Sequence, residues 1–235
     1  MLRIKSPYFE RSMVIKMVTF KEIKSNEQIK TYIRKADEAL AALGYTEHSF
    51  AHVGVVAEKA RYILTTLDYP KHQIELAQIA GYMHDIGNVV NRVNHAQSGA
   101  VMAFRLLDNI GVDPEDIATI ISAIGNHDED TAFPVNEVAA ALILADKTDV
   151  RYTRVRNRDL SNFDIHDRVN YSVKEAKTTI NEEKTMISLE LTIDTDVCPV
   201  MEYFEIFLTR MLLCKKAAEK LNLIFRLIIN GQKIL

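Results

Sequence analysis

A set of six potential metal ligands occurs between residues 52 and 146. It consists of four imidazoles and two carboxylates, in the order His52, His84, Asp85, His95, His127 and Asp146. Imidazole nitrogen is a donor of intermediate hardness and carboxylate oxygen is a hard donor, so this mixture suits Zn, Mn, Fe or Ni better than Ca or a thiolate-bound cluster. The set therefore predicts a centre for transition-metal ions.

The adjacent pair His84-Asp85 places a condition on the backbone. Neighbouring side chains on a regular helix diverge by about 100°, so both can reach one site only where a helix ends. Residues 75–83 read as a helix, and Gly87-Asn88 follows the pair in the position of a C-cap. We therefore expect the pair to lie at a helix end.

A plainer interpretation exists for each residue taken alone, because single histidines are more often packed or solvated than bound to metal. His52 lies beside an apolar run, and His127 occurs in a polar segment that reads as a loop. Asp146 ends the apolar stretch 140–145, where an unpaired carboxylate would be costly to bury. Asp146 thus favours a ligand on physical grounds, and the ordered occurrence of all six favours a metal site.

The elements that must position these ligands read as helices up to about residue 158. Asn26 precedes a helical pattern that stops at Gly44, and Asp113-Pro114-Glu115 combines a cap residue, a first-turn proline and acidic residues. Further helices are expected from before His52 to Asp68, from Pro70 to the His-Asp pair, from Asn94 to Gly111, and from about Glu137 through Asp146. The ligands would then come from helix ends and turns of an all-α bundle.

The C-terminal segment has a different pattern. Residues 186–194 alternate between apolar and polar side chains, which predicts a half-buried strand, and residues 170–180 predict a weaker strand before a turn at 181–184. Pro199 begins a helix, and residues 223–229 predict a final buried strand. The expected apolar stripe of that helix is Phe204, Phe207, Leu208, Met211 and Leu221. The segment is thus predicted to be a small α+β appendage of ββαβ order.

The chain is accordingly predicted to be mainly α, with three parts. These are an N-terminal extension over residues 1–25, a helical metal-binding domain over 26–160 and the ββαβ domain over 168–235. Met13 and Met17 are alternatives to Met1 as the initiating residue. The aromatic and methionine-rich helix of the last part is expected to pack on the helical domain or on a second subunit, which leaves open a homodimer through that domain.

Composition favours a cytoplasmic enzyme that binds a small molecule. Of the 235 residues, 48% are apolar and the formal net charge is −3, so no general attraction to nucleic acid or to an anionic membrane is expected. The two cysteines, Cys198 and Cys214, lack metal-ligand spacing, which is typical of reduced, buried thiols. No apolar run reaches the roughly 18 residues that would cross a bilayer.

Five segments of the chain resemble the HD superfamily of metal-dependent phosphohydrolases, which is named after its His-Asp doublet. They lie between Glu47 and Arg151 and read HSFAHVGVVAEKA, AGYMHDIGN, NHAQSGA, GNHDED and ALILADKTD. The resemblance implies a helical HD bundle that binds two divalent transition-metal ions, with Fe or Mn favoured and Ni, Co or Zn compatible. It implies that His52, His84 and Asp146 bind one ion, that His95 and His127 bind the other, and that Asp85 bridges them.

The resemblance also implies a reaction. A water between two such ions loses a proton near neutral pH and becomes a nucleophile, which predicts hydrolysis of a phosphate ester or anhydride in a nucleotide or another small phosphorylated metabolite. Lys147 and Arg151 follow Asp146 and are expected to bind substrate phosphates, although a solvated loop would have the same composition. His48, one helical turn before His52, and Lys147 are the candidates for the general acid.

Two other classes remain open at this point. HD proteins with the same six ligands include diiron oxygenases that act on small polar or phosphonate substrates, and the ligand set alone does not distinguish them from hydrolases. A regulatory binding module with a silent site is the third class. Its expected mark is a missing ligand, and all six are present here.

Overall fold

The computed structural model describes residues 17–129, 131–157, 159 and 162–235 of the chain. Its helices are α1 Phe20–Ser25, α2 Glu27–Ala42, α3 Phe50–Thr66, α4 Lys71–Met83, α5 His95–Asn109, α6 Pro114–Gly125, α7 Glu137–Lys147, α8 Ile165–Ser172 and α9 Val200–Lys220, with short 3-10 turns at Ile86–Val89 and Tyr152–Arg154. Its strands are β1 Val173–Ile180, β2 Met186–Ile193, β3 Ile224–Ile229 and β4 Gln232–Lys233. The predicted fold class, a helical bundle followed by a small α+β appendage, is confirmed.

Side-chain caps explain where several helices begin. The Asn26 carboxamide oxygen accepts hydrogen bonds from the first-turn N–H groups of α2 at 2.9 and 3.1 Å. The Asp113 carboxylate accepts one from Glu115 N at 2.8 Å, with Pro114 as the first residue of α6. Both starts were predicted from the sequence. Asn94 precedes α5 in a left-handed conformation, with φ of 58°, and makes no side-chain cap.

The centre of the bundle is α7, on which α3, α4, α6 and α9 all pack. Every residue of α7 from Val138 to Lys147 is buried, and α4 is buried from Leu76 to Met83. A helix that is apolar on all sides is stable only inside a core, which accounts for the positions of both helices. The last turn of α7 therefore delivers Asp146 to the interior of the protein.

The predicted N-terminal extension lies only partly within the described residues, because Met13 and the rest of residues 1–16 fall outside them. Residues 18–25 pack on the bundle: Ile23 is fully buried, and the Phe20 ring meets the Tyr82 ring of α4 at 5.7 Å. The division at 26–160 and 168–235 stays a prediction, since α8 contacts both the 3-10 turn at Tyr152–Arg154 and α9.

The C-terminal sheet has the strand order β1-β2-β3-β4, in which β2 and β3 are parallel and the other neighbours are antiparallel. A parallel pair needs a crossover, and α9 supplies it. The predicted alternation in β2 is confirmed, because Ile187, Leu189, Leu191 and Ile193 are the buried residues. The preceding strand begins at Val173 rather than at residue 170, because residues 170–172 complete α8.

The apolar stripe predicted for α9 is partly wrong. Tyr203, Phe207, Met211 and Cys214 face the core at helical spacing, whereas Leu208 is 50% exposed. Leu208 follows Phe207 by one residue and therefore points about 100° away from the buried face. With Met201 and Leu212 it forms an exposed apolar stripe, and the homodimer expected through this region stays a prediction.

Both cysteines are buried and form no disulfide. In the described ranges, no helix combines the length and the apolar composition that a membrane span requires.

Gly87 has a different role from the C-cap predicted for it. It lies within the 3-10 turn at Ile86–Val89, and its φ is not positive. A Cβ atom at this position would lie 2.0 Å from the carbonyl oxygen of His95 and 2.4 Å from the backbone nitrogen of Gly99. The missing side chain is what allows the first turn of α5 to approach the His-Asp pair and to place His95 beside it.

Replacing Gly87 with alanine should therefore displace α5. We expect Gly87→Ala to lower the free energy of unfolding by about 3 kcal/mol, the upper end of the usual range for overpacking, because backbone atoms and not flexible side chains are in the way. Gly54→Ala in α3 is the control: its Cβ would meet nothing within 4 Å, so it should raise stability by about 0.5–1 kcal/mol. Urea unfolding followed by circular dichroism measures both. Equal midpoints for Gly87→Ala and wild type would contradict this explanation.

Candidate metal centre

The six predicted ligands converge at one end of the bundle. His52 lies in the first turn of α3, and the pair His84-Asp85 follows the last residue of α4. His95 is the first residue of α5, His127 follows α6, and Asp146 lies in the last turn of α7. All six are buried. Segments far apart in sequence are thus brought together at the ends of five helices.

Asp85 is the central member of the cluster, because its two oxygens face different pairs of histidines. Oδ2 lies 3.1 Å from His84 Nε2 and 3.6 Å from His52 Nε2. Oδ1 lies 3.5 Å from His95 Nε2 and 3.9 Å from His127 Nε2, and it accepts a hydrogen bond from the Asn88 amide at 3.0 Å. One carboxylate therefore lies between two groups of imidazoles, where a carboxylate shared by two ions would have to lie.

Asp146 joins the first of these groups. Its Oδ1 lies 3.3 Å from His52 Nε2 and 3.7 Å from His84 Nε2, while its Oδ2 accepts from Lys147 Nζ at 2.7 Å. Three sets of donors, each within 4.8 Å of one another, could hold a metal ion. They are His52, His84 and Asp85; His84, His127 and Asp146; and Asp85, His95 and His127.

A hydrogen bond at Nδ1 orients every imidazole of the cluster. Three of the rings contact the carbonyl oxygen three residues earlier in the chain, and the fourth contacts a distant carboxylate. The pairs are His84 with Gly81 at 2.8 Å, His95 with Arg92 at 3.0 Å, His127 with Ile124 at 2.6 Å, and His52 with Asp149 Oδ2 at 2.8 Å. A neutral ring that donates from Nδ1 presents an unprotonated Nε2, and here each Nε2 faces the cluster.

Several polar atoms at the centre lack the partners that burial demands. Among the described residues, His52 Nε2, His84 Nε2 and Asp85 Oδ2 are buried without a hydrogen bond. Leaving a buried polar atom unpaired costs about 1–3 kcal/mol, so three together in one place need an explanation. The unprotonated Nε2 atoms of His95 and His127 also face each other at 3.2 Å. Divalent cations would satisfy all of these atoms, and the donor types fit Fe, Mn, Ni, Co or Zn.

The charge states of the cluster also suit metal ions. Burial raises the pKa of Asp85, but neighbouring imidazoles, His84 first, outweigh burial and hold that pKa well below its usual range. Burial likewise raises the pKa of Asp146, but the Lys147 ammonium together with His52 and His84 outweighs burial and holds that pKa well below its usual range. Burial is the main reason that the pKa of His127 lies well below its usual value. The carboxylates are thus ionised and His127 is neutral at pH 7, the forms in which these residues bind metals.

His84 is shifted in the opposite direction. Burial lowers its pKa, but the carboxylates of Asp85 and Asp146 outweigh burial and raise the pKa overall. Without a cation, a proton on His84 is the available compensation for two buried negative charges. A metal ion bound at His84 would therefore displace that proton, so that metal binding at this position depends on pH.

Asp149 is a functional candidate that the sequence reasoning missed. Besides His52, it accepts from Arg151 Nε at 3.0 Å, and its backbone carbonyl accepts from Arg154 at 3.0 Å. Burial raises the pKa of Asp149, but the hydrogen bond from His52 together with the nearby positive charges outweighs burial and lowers the pKa overall. The sequence feature that could have identified Asp149 is its position three residues after the predicted ligand Asp146. The partnership itself joins residues 97 positions apart and depends on how α3 packs beside α7.

A cavity of about 440 Å³ opens over the cluster. The segment before α3, the ends of α5 and α7, and residues of α8 and α9 line it. Its cationic lining residues are Arg92, Lys147, Arg154 and Arg210. His166, for which no role is predicted from the sequence, also lines it. The carboxylates Asp164 and Asp167 line it as well, so the cavity joins the histidine cluster to a wall of four cations and two carboxylates that comes partly from the C-terminal segment.

Of the other predicted site residues, His48 and Lys147 line this cavity and Arg151 does not. His48 lines it, with Nδ1 at 2.7 Å from the Thr46 carbonyl oxygen. Lys147 also lines it and is buried between Asp146 and Glu129. Arg151 is not among the lining residues and instead pairs with Asp149 and with Glu47 at 3.6 Å.

Other charged residues that follow His127 and Asp146 in the sequence, and His72, have the following contacts. Arg156 bonds to Asp37 and to the Tyr45 carbonyl, whereas Arg158 lies outside the described residues. Glu129 pairs with Lys147 at 3.3 Å and with Arg210 at 2.7 Å. His72 lies away from the cavity over the cluster and pairs with Asp116 at 2.7 Å.

Comparison with known proteins identifies one family. The HD domain family matches residues 47–168, which is more than half of the chain and includes all six clustered side chains. An uncharacterized protein of Methanocaldococcus jannaschii, MJ1020, is similar to the chain over 206 residues at 25% identity, covering 77% of this chain and 78% of that protein. The family match confirms the resemblance inferred from the sequence.

The hydrogen bond from His52 to Asp149 should matter for metal affinity. We expect Asp149→Asn to weaken the binding of Mn²⁺ by about 10- to 100-fold, because the amide holds the ring less firmly in the tautomer that exposes Nε2. Asp116→Asn is the control, since Asp116 is similarly buried and makes a similar contact to His72. Metal titration with circular dichroism as a folding check measures the effect. An Asp149→Asn protein with wild-type affinity would show that this contact does not position His52.

Proposed function

The chain belongs to the HD-domain family of metal-dependent phosphohydrolases, and on that basis we propose that it hydrolyses a phosphate ester or anhydride bond in a nucleotide or another small phosphorylated metabolite. The observation that carries this proposal is Asp85, whose two oxygens each face a pair of inward-directed Nε2 atoms beneath a basic cavity. The cavity volume lies within the usual range of about 300–1,000 Å³ for small-molecule sites, which supports a metabolite rather than a polymer.

We propose that the cluster binds two divalent ions, with Fe or Mn favoured. One ion would be held by His52, His84 and Asp146, the other by His95 and His127, and Asp85 would be shared. Asp85 Oδ2 lies nearest His84, whereas Asp85 Oδ1 lies nearest His95, and this arrangement supports the division. When bound, ions of this kind lower the pKa of water and neutralise charge on phosphoryl oxygens.

We propose that Lys147 donates a hydrogen bond to the leaving oxygen of the substrate. Burial lowers its pKa, but Asp146 and Glu129 outweigh burial and raise it, so the ammonium keeps its charge inside the protein. One of its contacts is the oxygen of Asp146 that points away from the histidines, at 2.7 Å. From this position Lys147 steadies Asp146 and can donate a hydrogen bond to an oxygen in the cavity.

His48 is better suited to accept a hydrogen bond than to act as the general acid. Burial, with the charge of Arg154 as the next cause, holds the pKa of His48 well below its usual value, so the ring is neutral at pH 7. Its Nδ1 donates to the Thr46 carbonyl oxygen, which leaves Nε2 without a proton. We propose that His48 orients a substrate hydroxyl or the attacking water at the wall of the cavity.

Arg92 is proposed to take the phosphate-binding role that the sequence suggested for Arg151. Arg151 forms ion pairs with Asp149 and Glu47 outside the cavity. Arg92 lines the cavity, with NH1 at 3.3 Å from His95 Nε2 and its guanidinium over the Tyr45 ring at 5.7 Å. A guanidinium at the edge of the second group of ligands is well placed to bind a phosphoryl oxygen that approaches Asp85.

Metal analysis and phosphate release test the proposal together. The protein should hold two metal equivalents and should release phosphate from one class in a panel of nucleotides and sugar phosphates, assayed with Mn, Fe, Co or Ni. Removing the metal with a chelator should abolish release, and adding back one of these ions should restore it. Two irons with oxygen uptake and no phosphate release would instead indicate a diiron oxygenase.

His84→Ala and Asp85→Ala should lose metal and activity together while remaining helical, because each removes a ligand and not a core side chain. Asp85→Ala should release both ions and His84→Ala mainly one. His72→Ala is the control, since it removes a histidine that pairs with Asp116 outside the cluster and should retain metal and turnover. Full metal content and turnover in both ligand variants would refute the assignment.

A further inference from the structure

The C-terminal segment contributes a basic side chain to the cavity over the histidine cluster. Arg210 lies on α9, beyond the residues that match the HD family, and it is one of the lining residues. We propose that its guanidinium binds a phosphoryl oxygen of the substrate, so that the helical HD region has a complete substrate site only with the C-terminal segment in place. This inference rests on the phosphohydrolase function proposed above.

A chain of charged contacts fixes Arg210 relative to the cluster. Its Nε donates to Glu129 Oε1 at 2.7 Å, and Glu129 Oε2 lies 3.3 Å from Lys147 Nζ. Lys147 in turn lies 2.7 Å from Asp146. The packing of α9 on α7 brings these groups together. The guanidinium is therefore anchored to the helix that carries Asp146, with little freedom to move away from the cavity.

The anchoring leaves one edge of the guanidinium available. Within the described part of the chain, Nε is the atom of Arg210 that meets an acceptor, and the Phe207 ring lies against the group at 4.5 Å from its centroid. The two terminal nitrogens form the edge that matches a phosphate in the two-point manner typical of arginine. An ion pair through Nε and an aromatic ring behind the group thus hold that edge in a fixed direction.

The other cations that line the cavity are more fully engaged. Lys147 lies between two carboxylates, and Arg154 donates to the backbone carbonyls of Glu47 and Asp149. Arg92 directs NH1 to Asn88 and His95. Arg210 differs because its hydrogen bond to Glu129 uses Nε, which leaves the edge of the two terminal nitrogens for a ligand.

The charge balance of this network also favours an anion. Asp146 belongs to the metal ligands, so its charge is directed to the ion that it binds. Apart from the predicted metal ligands, the cavity lining has four cations against two carboxylates, and Glu129 beside it adds a third negative charge: the cations are Arg92, Lys147, Arg154 and Arg210, and the lining carboxylates are Asp164 and Asp167. A net positive charge in a partly enclosed site attracts a phosphate more strongly than it would in open water.

Binding of inorganic phosphate to the metal-loaded, full-length protein tests the proposal without depending on turnover. We expect Arg210→Met to weaken phosphate binding by about 10- to 100-fold, the usual loss for a charged hydrogen bond, with unchanged metal content. Arg210→Lys keeps the charge but loses the two-point edge, so it should weaken binding by about 10-fold and serves if Arg210→Met folds poorly. Isothermal titration calorimetry gives the affinity, and metal analysis and circular dichroism give the other two readouts.

Arg168→Met is the matched control. Arg168 also forms an ion pair with α9 through Nε, to Glu202 at 3.1 Å, but it is not among the cavity-lining residues. Phosphate affinity in Arg168→Met should stay within about twofold of wild type. A loss similar to that of Arg210→Met would mean that any arginine contact to α9 produces the effect, and it would overturn the proposal.

Glu129→Gln separates direct binding from positioning. If Arg210 contacts phosphate itself, removing the compensating carboxylate should leave phosphate binding equal or tighter, because the site becomes more positive. A loss in Glu129→Gln as large as in Arg210→Met would show that Arg210 acts only through Glu129. Wild-type affinity in both Arg210 variants would overturn the inference alone, whereas a wild-type protein that neither binds nor releases phosphate would overturn the proposed function as well.

Discussion

The buried carboxylate of Asp85 is the group around which the helical bundle is arranged. Each of its oxygens faces two imidazole nitrogens, and Oδ2 has no hydrogen-bond donor among the described residues. A charge in this state is unstable inside a protein unless cations or protons compensate it. The apolar packing of α4 and α7 prevents the polar side chains from turning outward to water. Packing energy in the bundle therefore holds together a site whose own polar groups would otherwise separate.

Helix ends make this arrangement possible at low cost. The last carbonyl groups of a helix have no partner within it, and Gly81 and Ile124 belong to the final turns of α4 and α6. His84 and His127 donate Nδ1 to those two carbonyls, so each ring satisfies a backbone acceptor and is oriented by it. A single local contact thus stabilises the end of the helix and fixes the tautomer of the ring. His52, in the first turn of α3, is oriented by the Asp149 carboxylate instead.

The C-terminal segment forms part of the wall of the cavity over this site. Its helix α9 packs on α7 on one side and on β3 on the other, and α8 supplies part of the cavity wall. The contact of Arg210 with Glu129 links that helix to Lys147 and Asp146. Changes in the packing of the sheet would accordingly reach the cavity through α9, because residues of the HD region and of the C-terminal segment line the same cavity.

The sequence by itself determined the helical bundle, the ββαβ order of β1, β2, α9 and β3, and the six residues that cluster, but not the short last strand β4. These features follow from local rules: capping side chains, the period of apolar residues, and an ordered ligand set with a family resemblance. Only the tertiary structure decided that Gly87 is required for close approach and that Leu208 faces solvent. It also decided that Arg92 and Arg210, and not Arg151, line the cavity. Contacts such as His52 to Asp149 join residues 97 positions apart, and no local pattern determines how two distant helices pack against each other.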